Sequence, residues 1–256
     1  MFLLNQIFSL ILLFGFEPRI ISLAPSITDF LIKLNLENLI VGKTYLDPDF
    51  IKAEVVLPSS MKISKEKILS LKPTHIISAG LIPEEELYYF KKNGIKVLDF
   101  KYESIFSLIE TYIVLGKEFE IEKKALNELK SFLDTLFLFK NIKNNKKVLF
   151  ILDLTNGVWC PGEKTFIDDL IEWTGFDNIS DFFEGYKIVS IEKILKEEPD
   201  IVIFNFKKGY EALKNTPFRN LKSIREKKFY EVPDPNYFSR PSPLLIRALK
   251  FLSKIE

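Results

Sequence analysis

The chain has 256 residues, 47 % of them apolar, which is room for one large domain or two lobes of about 100 residues each. Its 36 basic and 35 acidic residues leave a net charge of +1 with no charged run, so the electrostatic footprint of a nucleic-acid binder is excluded. The single cysteine, Cys160, and the single histidine, His75, exclude a disulfide framework, a cysteine-rich metal site and any catalytic or metal cluster built on imidazole.

Residues 2–16, FLLNQIFSLILLFGF, open the chain with an apolar stretch shorter than the ~20 residues a membrane-crossing helix needs. It fits the h-region of a secretory signal, although a basic n-region and a small-x-small cleavage site are missing. An exported, periplasmic or extracytoplasmic protein is therefore expected, with an uncleaved N-terminal anchor or a mis-called start as the alternatives. From Arg19 the pattern alternates. A strand ending in Ala24-Pro25 leads into a helix capped by Ser26, with Asp29 in capping-box position. A short strand at Leu39 to Val41 is followed by a loop over 43–60. Ser64 caps a helix that Pro73 ends, and His75 to Ser78 reads as a strand. A helix led by Glu84-Glu85-Glu86 and a strand from Ile95 to Phe100 close this half. Such alternation implies a mainly parallel sheet covered by helices.

A proline-free region follows. Gly116 is expected to separate a helix over about 104–115 from a longer one over about 120–140. In the longer one, Leu126, Leu129, Phe132, Leu133 and Leu136 recur at i, i+3 and i+4 to form one apolar face. Roughly 20 residues at ~1.5 Å each would make a strut about 30 Å long. Beyond it the α/β pattern restarts: a strand from Lys147 to Leu152, a loop over 153–164, a helix from Thr165 to Thr174, and a loop through Tyr186. A helix over 190–198, strands from Ile201 to Asn205 and Phe229 to Val232, a proline-rich loop and a C-terminal helix complete the chain. The expected organisation is a signal-like segment 1–16, an N-terminal lobe 17–102, linking helices 103–141 and a C-terminal lobe 146–256.

An internal repeat supports two related lobes. Residues 64–77 read SKEKILSLKPTHII and residues 190–203 read SIEKILKEEPDIVI. Each copy is a Ser-capped helix, a proline stop and a buried strand, one on either side of the strut.

These segments, with RIISLAPSITDFL, FIDDLIEWTGFDNI and YFSRPSPLLIRAL in the same order, resemble the extracytoplasmic substrate-binding proteins of ABC importers for vitamin B12, ferric siderophores and haem. The resemblance covers nearly the whole chain from Arg19. It implies an α/β fold of two Rossmann-like lobes joined by a single long rigid α-helix, with the ligand cleft between the lobes. It also implies a monomeric, non-catalytic carrier that has no resident cofactor. Its cargo would be cobalamin or an iron chelate, and its partners that small molecule and the permease membrane subunits. By position in the family pattern, Tyr45, Trp159, Tyr186, Tyr237, Phe238, Ser239 and Arg240 are the expected ligand contacts, since aromatic walls suit a wide flat ligand. Glu66 and Glu192, equivalent members of the two repeats, match the acids that dock on permease arginines; helix capping is the alternative role.

Two departures bear on the ligand. Cobalamin binders often carry a Trp where this chain has Ser60, and some carry an acid where it has Ser239. Cobalamin is the first expectation and a siderophore or haem the second. Outside this class stand a cytoplasmic two-lobe metallocluster enzyme, disfavoured by the lack of His and Cys ligands, and a surface module with an empty cleft. His75 reads as a core or edge histidine. Asp168 and Asp169, being adjacent on a helix, face different ways.

Overall fold

A computed structural model describes residues 17–57, 62–140, 145–214 and 216–255; the signal-like segment and Ser60 lie outside them. The chain divides into two compact units, one ending at Phe100 and the other beginning at Lys101.

The first unit is built on a five-stranded parallel sheet. Its strands are β1 (Ile20–Ser22), β2 (Ile40–Thr44), β3 (Glu54–Leu57), β4 (His75–Ser78) and β5 (Lys96–Asp99), ordered β3-β2-β1-β4-β5. Three helices connect them: α1 (Pro25–Lys33), α2 (Lys65–Ser70) and α3 (Glu84–Lys92). Ile20, Ile21, Ile76 and Ile77 are fully buried, as expected of strands covered on both faces. Two local expectations are corrected. Pro25 occupies the first turn of α1 and Ala24 the N-cap, which carries no side-chain cap bond; Ser26 lies inside the helix, 4 % exposed. Proline's fixed φ and missing N–H make it well suited to that place. The loop expected over 43–60 contains the edge strand β3, whose Glu54-Val55-Val56-Leu57 is too short to show a period.

The second unit opens with a helical hairpin, α4 (Ser107–Glu118) and α5 (Glu122–Phe137). Gly116 lies within α4 rather than between the helices. A Cβ there would come within 2.6 Å of the Ala125 Cβ, so glycine allows the two helices to close up. The buried face of α5 is Ala125, Leu129, Phe132 and Leu136, while Leu126 is 55 % exposed. At ~1.5 Å per residue this 16-residue helix spans about 24 Å, shorter than the expected strut.

The hairpin leads to a second parallel sheet. Its strands are β6 (Lys147–Ile151), β8 (Asp177–Asn178), β10 (Ile201–Phe204) and β11 (Phe229–Glu231), ordered β11-β10-β6-β8. The central strands β6, from Val148, and β10 are completely buried. β7 (Val158–Pro161) and β9 (Tyr186–Val189) pair antiparallel as a separate ribbon. The helices are α6 (Phe166–Trp173), α7 (Ile191–Glu197), α8 (Gly209–Leu213), α9 (Lys222–Arg225), α10 (Asn236–Ser239) and α11 (Leu245–Leu252).

The repeat is structural as well as textual. Ser64 and Ser190 each cap their helix by accepting from the third amide onward, Lys67 N at 3.3 Å and Lys193 N at 3.2 Å. The equivalent residues Lys72 and Glu198 both turn left-handed at φ 48°, just ahead of Pro73 and Pro199. The strands that follow, β4 and β10, take matching interior places, β4 between β1 and β5 and β10 between β6 and β11.

Candidate functional site

In open α/β sheets ligands bind beyond the carboxyl ends of the strands, where loops are free to vary. A depression of about 700 Å³ in the first unit lies at the other end, by Arg19, Ile40 and Glu54. There Arg19 Nε and Nη2 donate to the Leu71 carbonyl at 3.0 and 2.8 Å, a structural clasp.

At the carboxyl end of the second sheet the β7–β9 ribbon is the dominant feature. Its register sets Trp159 opposite Ile188 and Pro161 opposite Tyr186, which places all four on one face. Val158, Cys160 and Val189 occupy the other face and join the hydrophobic core. The first face is open except at Pro161, which is buried: Trp159 is 39 %, Tyr186 39 % and Ile188 52 % exposed. The ribbon is anchored to the sheet through Leu152 N to Trp159 O at 2.8 Å and Trp159 N to Asp153 O at 3.0 Å. The turn into it uses Gly157 at φ 125°, where a Cβ would strike Ile188 at 2.7 Å. Asp153, Asn156, Gly157, Trp159 and Ile188 line a cavity of about 360 Å³. Thr155 donates its amide and hydroxyl to the Asp153 carboxylate at 3.1 and 2.9 Å, which holds its pKa below the ordinary carboxylate value. Desolvation raises the Tyr186 phenol above the usual tyrosine range, so it remains a neutral donor.

This ribbon falls in stretches the sequence reading assigned to loops. Trp159 and Tyr186 were singled out individually, and the structure brings them together; Ile188 and Asp153 were missed. The available signal was the alternation Val158-Trp159-Cys160, masked by the flanking Gly157 and Pro161.

The remaining expected contacts divide. Tyr237 is half-buried, with the Arg247 guanidinium 5.9 Å from its ring centroid. Ser239 is exposed, and its Oγ accepts from Asn205 Nδ2 at 3.1 Å. Asn205 directly follows β10, is 5 % exposed, and its Oδ1 has no partner among the described residues. Arg240 is half-buried. Phe238 is corrected to a core residue: it is fully buried, 4.8 Å from Phe150 and 6.1 Å from Phe251 between ring centroids. On the first unit Tyr45 directly follows β2, 45 % exposed, with its amide bonded to Leu57 O at 3.0 Å.

Glu66 and Glu192 occupy the second position of their capped helices, and both are exposed. Neighbouring lysines are engaged, Lys67 with Glu54 at 3.0 Å and Lys193 with Glu197 at 2.7 Å. The two repeat-related carboxylates themselves make no ion pair or side-chain hydrogen bond among the described residues.

His75, Cys160, Asp168 and Asp169 have local partners or face the core. His75 Nδ1 lies 2.7 Å from Thr74 Oγ1. Cys160 faces the core, away from Trp159, and burial pushes its thiol up to about 12. Asp168 accepts from Asn178 Nδ2 at 2.7 Å and Asp169 from the Ile105 amide at 2.8 Å; desolvation raises both. Among the described residues no His, Cys, Asp and Glu group is placed to hold a metal ion, and no helix is long and apolar enough to cross a membrane.

Two α/β units, each built on a parallel sheet and carrying the same capped-helix repeat, define a two-unit α/β protein. The periplasmic binding protein family model matches residues 20–235, and the chain belongs to that family. A curated relative, the uncharacterized ABC transporter substrate-binding lipoprotein YvrC of Bacillus subtilis (strain 168), is 28 % identical over 93 % of this chain and 80 % of its own length. The high-affinity heme uptake system protein IsdE of Staphylococcus aureus is 27 % identical over 73 % of this chain and 66 % of its own. The crystal structure of a possible iron-binding (periplasmic solute-binding) protein from Staphylococcus epidermidis superposes with a TM-score of 0.77. It is 28 % identical and covers 92 % of this chain and 96 % of that one.

Proposed function

We propose that the chain is the substrate-binding protein of an ABC importer, which captures a chelated metal compound outside the cytoplasm and passes it to the membrane permease. The observation that carries this reading is the open face of Trp159, Tyr186 and Ile188 on a ribbon whose opposite face is locked into the core. A planar macrocycle laid on it gains apolar contact from side chains that are already ordered, so little conformational entropy opposes binding. Tyr45, Tyr237, Ser239 and Arg240 are proposed as further contacts, the hydroxyls and guanidinium serving polar groups at the ligand rim. A corrinoid is the first ligand. Haem or another iron chelate is the second, favoured by the likeness to a haem uptake protein.

Glu66 and Glu192 are proposed to dock on basic residues of the permease. Their capping serines hold the helix starts, and their own carboxylates are unengaged among the described residues. Exposed charges of this kind steer association and fix orientation more than they add affinity.

The test mixes the full chain with cyanocobalamin, haem or a panel of ferric siderophores, followed by desalting and visible spectroscopy. Co-eluting corrin absorbance supports the first ligand, and iron-chelate absorbance the second. Absence of retained colour from every probe refutes the metal-chelate reading.

A further inference from the structure

We propose that Asp153 makes the Trp159 cavity a charge filter that accepts a chelate edged with hydrogen-bond donors, such as amides, and rejects one edged with carboxylates. The inference rests on the metal-chelate reading above and narrows its substrate class.

The lining of the cavity is Asp153, Asn156, Gly157, Trp159 and Ile188, so it contains one anion and no cation. Asp153 makes no ion pair among the described residues. Its carboxylate does not drift, because the Thr155 amide and hydroxyl each bind one of its oxygens. Its main chain is fixed by the bond from Trp159 N to Asp153 O at 3.0 Å. A carboxylate offers about four lone-pair directions; Thr155 uses one on each oxygen, which leaves acceptor capacity directed away from that turn. The Asn156 side chain adds a second polar group to the lining, able to donate or accept.

A macrocycle stacked on Trp159 therefore brings its rim to a fixed negative charge beside an apolar wall. The ring displaces water from that side, which lowers the local dielectric and strengthens whatever charge interaction results. Amide N–H groups at the rim would satisfy the free lone pairs through charge-assisted bonds. A rim carboxylate seated in this cavity would meet like charge, because no lysine or arginine is in its lining and Arg240, proposed above as a rim contact, is not part of it. Selection by a misplaced like charge is an effective way to reject a ligand of otherwise suitable shape.

A matched pair of probes tests this: haem, whose rim carries two propionates, and the same molecule with both propionates converted to primary amides. The full chain is titrated with each, and with cyanocobalamin, at low and high salt. The diamide is expected to bind about tenfold more tightly than haem, a difference of ~1.4 kcal/mol. That ratio should shrink to within about threefold in Asp153→Asn, and by less at high salt, since the ring covers only one side of the otherwise exposed carboxylate. Asn156→Lys, which adds a cation to the lining and leaves the Thr155 turn intact, should move the preference toward haem. An equal affinity for the two probes in the wild type, or a ratio unchanged in both variants, overturns the filter while the metal-chelate reading stands. Failure of the wild type to bind haem, its diamide or cyanocobalamin overturns the filter, and the metal-chelate reading falls with it when the ferric siderophores are not retained either.

Discussion

Replacing Trp159 by alanine is the sharpest test of the aromatic face. The side chain is 39 % exposed, and a buried tryptophan covers roughly 250 Å². About 100 Å² is therefore available to a ligand, which at ~25 cal/mol per Å² contributes about 2.5 kcal/mol. The expected loss is about 60-fold in Kd, since each 1.4 kcal/mol is worth ~tenfold. Fold stability should fall as well, by about 3–4 kcal/mol at ~25 cal/mol per Å², because the remaining ~150 Å² of the side chain is packed within the fold. The control is Val158→Ala on the opposite face, 4 % exposed and part of the core. It should lower stability by about 1–3 kcal/mol through cavity formation and leave Kd unchanged. Both are measured by titration calorimetry with whichever probe the wild type retains, and by thermal unfolding. If Trp159→Ala binds within threefold of wild type, or if Val158→Ala loses as much affinity, the assignment of the two faces is wrong.

Charge reversal of the docking acids, Glu66→Arg with Glu192→Arg, is expected to leave ligand affinity intact and abolish permease-dependent uptake in reconstituted vesicles, each single change giving a partial loss; wild-type uptake by the double variant would remove both residues from docking. Gly116→Val should splay the α4–α5 hairpin, because even a Cβ meets Ala125 at 2.6 Å, and lower unfolding free energy by about 1–3 kcal/mol; an unchanged melting temperature would contradict the close approach. Asp168 has its pKa raised in the folded state, chiefly by desolvation. Folding therefore takes up protons as pH falls, so the destabilisation is absent below the unfolded-state pKa and develops as pH rises through the folded-state value. Asp168→Asn should consequently gain stability relative to wild type between acidic and neutral pH, and a pH-independent difference in melting temperature would refute the cause assigned.

Much of the fold was legible because its strongest signals are local. Runs such as Val148–Ile151 and Ile201–Phe204 are apolar on both faces, and serine caps with proline stops delimit the helices of the repeat. The short pieces were not legible. β3 has four residues and no clear period, and β7 and β9 are held by pairing with each other across 25 or so intervening residues, a long-range condition that neither strand announces alone. Near Pro25, two local rules competed, and proline's compatibility with the first helical turn prevailed over the serine cap.

The sequence by itself determined the α/β class, the two related halves and the family. The α/β class and the related halves rest on periodicity and repeated capping motifs read within a few residues, and the family on the resemblance of several segments in order along the chain. By position in the family pattern it also named Trp159 and Tyr186 among the expected ligand contacts. Only the tertiary structure decided which side chains those aromatics stand beside. Strand register assigns alternate residues to opposite faces, which turned Trp159 outward beside Ile188 and Asp153 while Cys160 went into the core. Phe238 shows the same limit, since nothing adjacent to it in the chain reveals the Phe150 and Phe251 rings that bury it. Burial is a property of contacts made across the chain, and those exist only once the sheets have formed.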